Sequence, residues 1–213
     1  MNKKLKGLYA ITDTTLMGEN LFSMTEQAIS GGISILQYRN KTAPISQQEL
    51  EARELATLCK KNNVLFLIND NIELAIKVNA DGVHLGQSDT SLQQARKQLG
   101  DKIIGVTCHN DIQLAQLAQQ QGADYVAFGR FYASQTKPDA APAELAILTE
   151  AKKNLTIPIV AIGGVTVDTA AILINQGADI LAVIQGIFGS ANITTATQQF
   201  VEIMRSIDRQ RVY

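Results

Sequence analysis

The sequence has no surplus of either charge, almost no cysteine and no long apolar run. Nineteen basic residues face twenty acidic ones, for a net charge of −1, so no global field draws the chain to nucleic acid or to an anionic membrane. Any anion it binds must be gripped by a local cluster. Cys59 and Cys108 are its only cysteines, and neither shares a short motif with a second metal ligand. Two reduced thiols in a cytoplasmic protein are the expectation. The opening MNKKLKGLYAITD carries basic residues without the apolar stretch of a signal peptide, and no later segment is long enough to span a bilayer. A Gly-x-Gly-x-x-Gly turn is missing too. Ile11-Thr12-Asp13-Thr14-Thr15-Leu16 stands in its place after the first apolar run, which counts against an open doubly wound sheet. The 213 residues are 46% hydrophobic and include no low-complexity tract, so a single domain over residues 1–213 with a full core is expected.

What is present is a repeated unit. Four times a helical run breaks at a small stop and hands over to an apolar strand: AISGGISILQYR (28–39), AIKVNADGVHLG (75–86), AQQQGADYVAFGR (118–130) and ILINQGADILAVIQG (172–186). Gly31, Gly122 and Gly177 suit the left-handed residue that ends a helix, with Asn79 as the usual substitute. Eight short runs are near-continuously apolar: 8–12, 35–38, 64–68, 82–85, 102–107, 125–128, 157–162 and 180–184. That pattern belongs to parallel strands covered on both faces. Ser23-x-x-Glu26, Ser46-x-x-Glu49, Ser91-x-x-Gln94 and Thr195-x-x-Gln198 match helix capping boxes, and Asn110-x-x-Gln113 is a looser version. Eight strands alternating with helices predict an α/β fold, a single-domain (β/α)8 TIM barrel, whose working face is the carboxyl ends of its strands.

The residues just past each run carry chemistry. Gln37, Arg39 and Lys41 alternate in QYRNK, so an extended segment aims all three one way. Two cations and an amide at a barrel mouth suit phosphate or pyrophosphate. Asn69-Asp70 ends the third run and Asp89 follows the fourth. Asp70 and Asp89 singly fit helix N-caps; together, beside Arg39 and Lys41, they favour a Mg²⁺ site completed by phosphate oxygens and water. Thr107 offers a hydroxyl after the fifth run, and Asn110 reads as an N-cap. His84 lies within a strand and reads as a wall histidine, and His109 is given no role. Ser134, Thr136 and Lys137 follow the sixth run in a long loop, the usual place of a lid. Gly163-Gly164 and Gln185-Gly186 end the last two runs, where these barrels hold phosphate on backbone N–H groups. The mouth thus has two anion sites, for two phosphorylated small molecules or one bisphosphate.

The set YAITD, LQYRNK, IND, DGVHLGQSD, GVTCHN, GADYVAFG, SQTK and AIGGV closely resembles the thiamine-phosphate synthase family, in order and along essentially the whole chain. The resemblance implies a Mg²⁺-dependent transferase of thiamine biosynthesis. Its two substrates are hydroxymethylpyrimidine diphosphate and hydroxyethylthiazole phosphate, and it releases pyrophosphate. It further implies that Gln37, Arg39, Lys41, Asn69, Thr107 and Lys137 hold the pyrimidine diphosphate. Arg39, Lys41 and Lys137 would act in catalysis, and Asp70 and Asp89 would ligate Mg²⁺. Ser134, Thr136, Gly164 and the Ile184-Gln185 backbone would hold the thiazole phosphate. The chain departs from the family pattern at three places. Thr107 and Ser134 stand where serine and threonine are found, which keeps a hydroxyl, and Gln185 replaces a common serine, which loses one. Arg130 sits where the pattern is variable, and its role is open. Two alternatives stand beside this reading: a thiazole tautomerase-like paralogue, opposed by the retained Asn69-Asp70 and by Arg130 after the sixth run, and a non-catalytic binder of thiamine precursors.

Overall fold

The computed structural model describes residues 5–133 and 141–210. Eight strands close into a barrel in sequence order: β1 Gly7–Ile11, β2 Ile35–Tyr38, β3 Leu65–Asn69, β4 Gly82–Leu85, β5 Ile103–His109, β6 Tyr125–Phe128, β7 Ile159–Ile162 and β8 Ile180–Val183. Every neighbouring pair is parallel, and β1 pairs with β8 to complete the ring. Around them run α1 Thr14–Met17, α2 Leu21–Gly31, α3 Ile45–Lys61, α4 Ile72–Lys77, α5 Leu92–Leu99, α6 Ile112–Gln120, α7 Ala146–Asn154, α8 Val167–Gln176, α9 Gln185–Phe188 and α10 Ile193–Gln210. Helix α10 packs against both α2 and α8, closing the outer ring. The strands are buried on both faces, as their unbroken apolarity requires. One apolar cluster fills the barrel (Tyr9, Ile35, Leu67, Tyr125, Val160 and Ile180 among it), and a larger one lies between sheet and helices.

The four repeat copies hold the even strands β2, β4, β6 and β8. In three of them the aspartate before the strand makes a two-way lock with the start of the preceding odd strand. Asp81 N–H donates to Phe66 O (2.8 Å) while its carboxylate accepts from Phe66 N–H (2.8 Å). Asp124 does the same with Ile104 (2.8 and 2.8 Å) and Asp179 with Ile159 (2.8 and 3.0 Å). Each side chain thereby satisfies the backbone donor at a strand entry, where no ladder partner exists. Ser34 takes this place before β2, and its N–H donates to Leu8 O (2.9 Å).

Several local signals resolve differently from expectation. The left-handed stop of α2 is Gly32 (φ 104°), not Gly31. Gly31 stays inside the helix, where its missing side chain leaves room for Thr197 of α10, whose Cγ2 lies 2.8 Å from where a Cβ would stand. Asn79, Gly122 and Gly177 do take positive φ. Only one of the five capping patterns caps as read: Ser91 Oγ accepts from Gln94 N–H (3.4 Å). Ser23 lies inside α2, Ser46 follows the N-cap Pro44, Asn192 rather than Thr195 caps α10, and Asp111 rather than Asn110 caps α6. A full box exists instead at Thr166 and Thr169. Strand ends shift by one or two residues, and a register shift between Thr107 and His109 carries β5 on to His109.

Arg96 binds one of the locks from outside. Its guanidinium donates to Gly100 O (2.7 Å), Lys102 O (2.6 Å), Gly122 O (2.7 Å) and the Asp124 carboxylate (2.6 Å). Arg96→Met should cost on the order of 2 kcal/mol in chemical denaturation, because charge-assisted bonds at a half-buried strand entry lose their donor. Arg53→Ala, which breaks an exposed i,i+4 pair with Glu49, should leave the unfolding midpoint unmoved. Equal effects would show that Arg96 is an ordinary surface charge.

Candidate active site

A cavity of about 810 Å³ opens at the carboxyl ends of the strands, a size typical of small-molecule sites. Its floor is polar. Gln37, only 2% exposed, donates from Nε2 to Tyr9 OH (2.5 Å). Tyr9 OH lies 2.9 Å from Tyr125 OH, which lies 2.9 Å from His84 Nδ1, and His84 Nε2 lies 2.8 Å from Thr107 Oγ1. Burial raises the pKa of both phenols well above the tyrosine range. They stay neutral and serve as hydrogen-bonding groups. Gly105 makes room for this line, since a Cβ there would overlap the Tyr125 ring.

Above the floor, Thr12 fixes the exit of β2. Its buried hydroxyl donates to Arg39 O (3.3 Å) and accepts from Arg39 N–H (2.9 Å). Asn40 then anchors the turn, accepting from Thr42 and Ala43 N–H and donating to Glu51 of α3 (3.0 Å). Gln37, Arg39 and Lys41 therefore climb one wall from floor to rim, and all three line the cavity. The strand itself ends at Tyr38, so the alternation carries them only part of the way and the Asn40 turn does the rest.

Asp70 leaves β3 at φ +60°, a left-handed conformation that aspartate tolerates. Its carboxylate accepts from Asn69 Nδ2 (2.6 Å) and pairs with Lys41 Nζ (3.1 Å). Asp89 folds back over Gly86, whose N–H donates to it (2.7 Å) and whose missing side chain leaves it space. Neither aspartate caps a helix: Asn71 caps α4 and Ser91 caps α5. Burial, then contact with the Asp70 carboxyl, holds Asp89 above the ordinary carboxylate range, and the Gly86 N–H and Lys41 only partly oppose this. Two carboxylates crowded beside one lysine are short of positive charge. They fit a hard divalent cation that takes further oxygens from ligand and water. No cluster of three or more His, Cys, Asp or Glu gathers among the described residues.

The opposite wall belongs to β6, β7 and β8. Gly163 (φ 98°) and Gly164 (φ 64°) turn sharply after β7. A Cβ at Gly163 would overlap Arg130, and one at Gly164 would meet Tyr132 Cβ at 2.6 Å and overlap Ala133 O. Tyr132 N–H donates to Gly163 O (3.1 Å) and Phe131 N–H to Ile162 O (3.3 Å), so this loop and the glycine turn form one surface. Short helix α9 starts at Gln185, and Ile184 at its N-cap supplies no side-chain bond. Ile184, Gln185, Gly186 and Arg130 line the cavity here. Ser134, Thr136 and Lys137 lie outside the described residues.

The fold thus brings Gln37, Arg39, Lys41, Asn69, Asp70, Asp89, Thr107, Gly164, Ile184 and Gln185 to one cavity. Sequence reasoning passed over Tyr9, Thr12 and Tyr125, polar residues inside apolar runs. A hydroxyl within a strand buried on both faces was the signal available, because it must find a partner. Asn110 turned out to accept from Glu144 N–H (3.1 Å), bracing the segment before α7.

The crowded aspartates have a measurable consequence. A carboxyl with a raised pKa binds its proton more tightly in the folded state, so stability falls as pH climbs from the ordinary carboxylate value through the raised one. Asp89→Asn keeps an acceptor for the Gly86 N–H and removes the repulsion. Without divalent metal its Tm should exceed that of the wild type at neutral pH, and the gap should close in acid. A variant less stable at every pH would show that the carboxylate supports its loop.

Residues 8–187 match the family model described as thiamine monophosphate synthase. The chain is 52% identical over 191 residues to a thiamine-phosphate synthase of Alcanivorax borkumensis, covering 89% of this chain and 88% of the relative. It is 48% identical over 188 residues to one of Thioalkalivibrio sulfidiphilus, covering 87% and 89%. Among solved structures, a thiamine phosphate pyrophosphorylase from Pyrococcus furiosus superposes with a TM-score of 0.89 at 32% identity, covering 97% and 98%. A 3-hexulose-6-phosphate synthase at 18% identity and TM-score 0.70 shares the barrel alone. A match over most of the chain, at this identity and with this barrel, establishes that the chain belongs to the thiamine monophosphate synthase family.

Proposed function

We propose that this family member condenses hydroxymethylpyrimidine diphosphate with hydroxyethylthiazole phosphate in a Mg²⁺-dependent reaction, giving thiamine phosphate and pyrophosphate. The observation that carries the reading is one cavity with two unlike walls. Cations and a crowded carboxylate pair stand on β2–β4, and a glycine turn with an uncapped helix start stands on β7–β8. A diphosphate suits the first wall and a monophosphate the second.

Arg39 and Lys41 take the diphosphate, with Lys137 as a third cation on the strength of the sequence resemblance. Gln37, Asn69 and Thr107 orient the pyrimidine side. Asp70 and Asp89 hold Mg²⁺, which when bound adds positive charge where the leaving group becomes more negative. Gly164 and the Ile184-Gln185 backbone, with Ser134 and Thr136 on the strength of the sequence resemblance, seat the thiazole phosphate. The bond from the pyrimidylmethyl carbon to oxygen breaks with its electron pair going to pyrophosphate. The thiazole nitrogen lone pair then forms the new bond to that carbon. The attacking nitrogen carries no proton, so no general base is required. What the chain contributes is stabilisation of the leaving group by fixed charge and alignment of two substrates. Both cysteines are buried and neither is in a disulfide, which suits a reducing cytoplasm, and no helix among the described residues is long and apolar enough to cross a membrane.

Incubation with both substrates, with and without Mg²⁺, and mass spectrometry for thiamine phosphate test the assignment. Product should form only with both substrates and the metal. Binding of either substrate without product would favour a silent binder. Asp89→Asn should lower kcat by about 100-fold or more and raise the Mg²⁺ needed for half-maximal rate. Normal turnover at low Mg²⁺ would remove Asp89 from the metal site.

A further inference from the structure

Five side chains form an unbroken hydrogen-bonded line across the barrel: Gln37, Tyr9, Tyr125, His84 and Thr107. Its ends, Gln37 and Thr107, both line the cavity, as does His84. Residues from five strands take part, and both phenols are fully buried. Edge-to-face packing of the two tyrosines (6.1 Å) and stacking of His84 on Tyr125 (5.6 Å) fix the rings.

Proton counting constrains such a line. Each phenol has one proton, and a neutral imidazole has one N–H and one acceptor nitrogen. Gln37 presents Nε2 to Tyr9, so Tyr9 accepts there and its proton goes to Tyr125. Tyr125, having accepted, gives its proton to His84 Nδ1. His84 then carries its proton on Nε2 and donates to Thr107 Oγ1. The Thr107 proton is left for a ligand, while Gln37 keeps its Oε1 as an acceptor. If the Gln37 amide turns over, every bond reverses: His84 becomes the Nδ1–H tautomer, Thr107 donates to it, and the ligand meets a donor at Gln37 and an acceptor at Thr107.

We infer that the line is a polarity relay, in which the face Gln37 turns to Tyr9 sets the His84 tautomer and hence the hydrogen-bonding sense of Thr107. Tyr9 and Tyr125 are positioning residues, acting through His84. In either polarity the line fixes a complementary pair of groups for the ligand: the Thr107 O–H with Gln37 Oε1, or a Gln37 N–H with Thr107 Oγ1. That pair suits a heteroaromatic ring with a donor at one edge and an acceptor at another, which is the pattern of an aminopyrimidine. This deepens the proposed function and rests on it for the ligand, but the relay itself can be read without any ligand.

The chain has two histidines, and His109 is exposed and outside the line, so ¹⁵N NMR of the imidazoles in the full chain resolves His84 against an internal control. Wild type should show the Nε2–H tautomer. Gln37→Glu, whose carboxylate only accepts, should shift His84 to Nδ1–H, and adding Tyr125→Phe should abolish that shift because the line is cut. Tyr9→Phe buries no new charge and serves if Gln37→Glu fails to fold; it should leave both tautomers populated. A His84 whose tautomer ignores position 37, responds equally in the Tyr125→Phe background, or stays single in Tyr9→Phe overturns the relay. In turnover, Tyr125→Phe should raise the KM for the pyrimidine diphosphate about tenfold with kcat nearly unchanged, as loss of one directed hydrogen bond implies. A fall in kcat alone would instead assign the phenol to the chemical step. Inactivity of the wild type toward both substrates would overturn the function and leave the NMR comparison readable.

Discussion

Closure of eight parallel strands is the constraint on which the rest of the molecule depends. A closed barrel has no free edge, so its interior is sealed from water below the mouth and every polar group placed there must find a partner inside. Tyr9, Gln37, His84, Tyr125 and Thr107 satisfy one another in a single line, and Gly105 exists to let the Tyr125 ring into that space. The same closure brings the ends of β2, β3 and β4 side by side, which is why cations from one turn and carboxylates from the next two meet at one rim.

The rim is held against its own electrostatics. Asp70 sits in a left-handed backbone conformation beside Asn69 and Lys41, and Asp89 is folded back on Gly86 toward it. Like charges that crowd together without enough counter-charge lower stability, and functional sites commonly accept that cost. The scaffold offsets it elsewhere. The two-way aspartate locks at Phe66, Ile104 and Ile159 fasten the strand entries at the opposite end of the barrel. Stability is thus concentrated at the amino ends of the strands and strain at the carboxyl ends, the division expected of this architecture.

The two walls of the cavity also differ in mechanical character. The β2 exit is pinned by Thr12 and Asn40, so Arg39 and Lys41 are presented from a braced segment. The opposite wall depends on a glycine turn packed directly on the loop after β6, where neither Gly163 nor Gly164 has room for a side chain. A ligand phosphate seated there would touch a surface made jointly by two loops, so that order in one is tied to order in the other.

Local sequence determined the architecture and the level at which function sits. Eight apolar runs of strand length, small stops between helix and strand, and polar residues clustered after the runs specify a barrel, and they place Arg39, Asp70, Asp89 and Gly164 at its mouth, because burial on both faces and strand direction are properties of the local pattern. Helix starts were less legible. Ser-x-x-Glu occurs inside α2 and α3 as readily as before them, and only the backbone shows which residue still has non-helical dihedrals. Gly31 and Gly32 could not be told apart in sequence: Gly31 answers to the close approach of Thr197, more than 160 residues away, and only the backbone shows that Gly32 takes the positive φ. The line across the floor belongs wholly to tertiary structure. Tyr9 and Tyr125 are 116 residues apart, and two phenols, an amide, an imidazole and a hydroxyl acquire a shared direction only when closure of the barrel removes the water that would otherwise bond each of them separately.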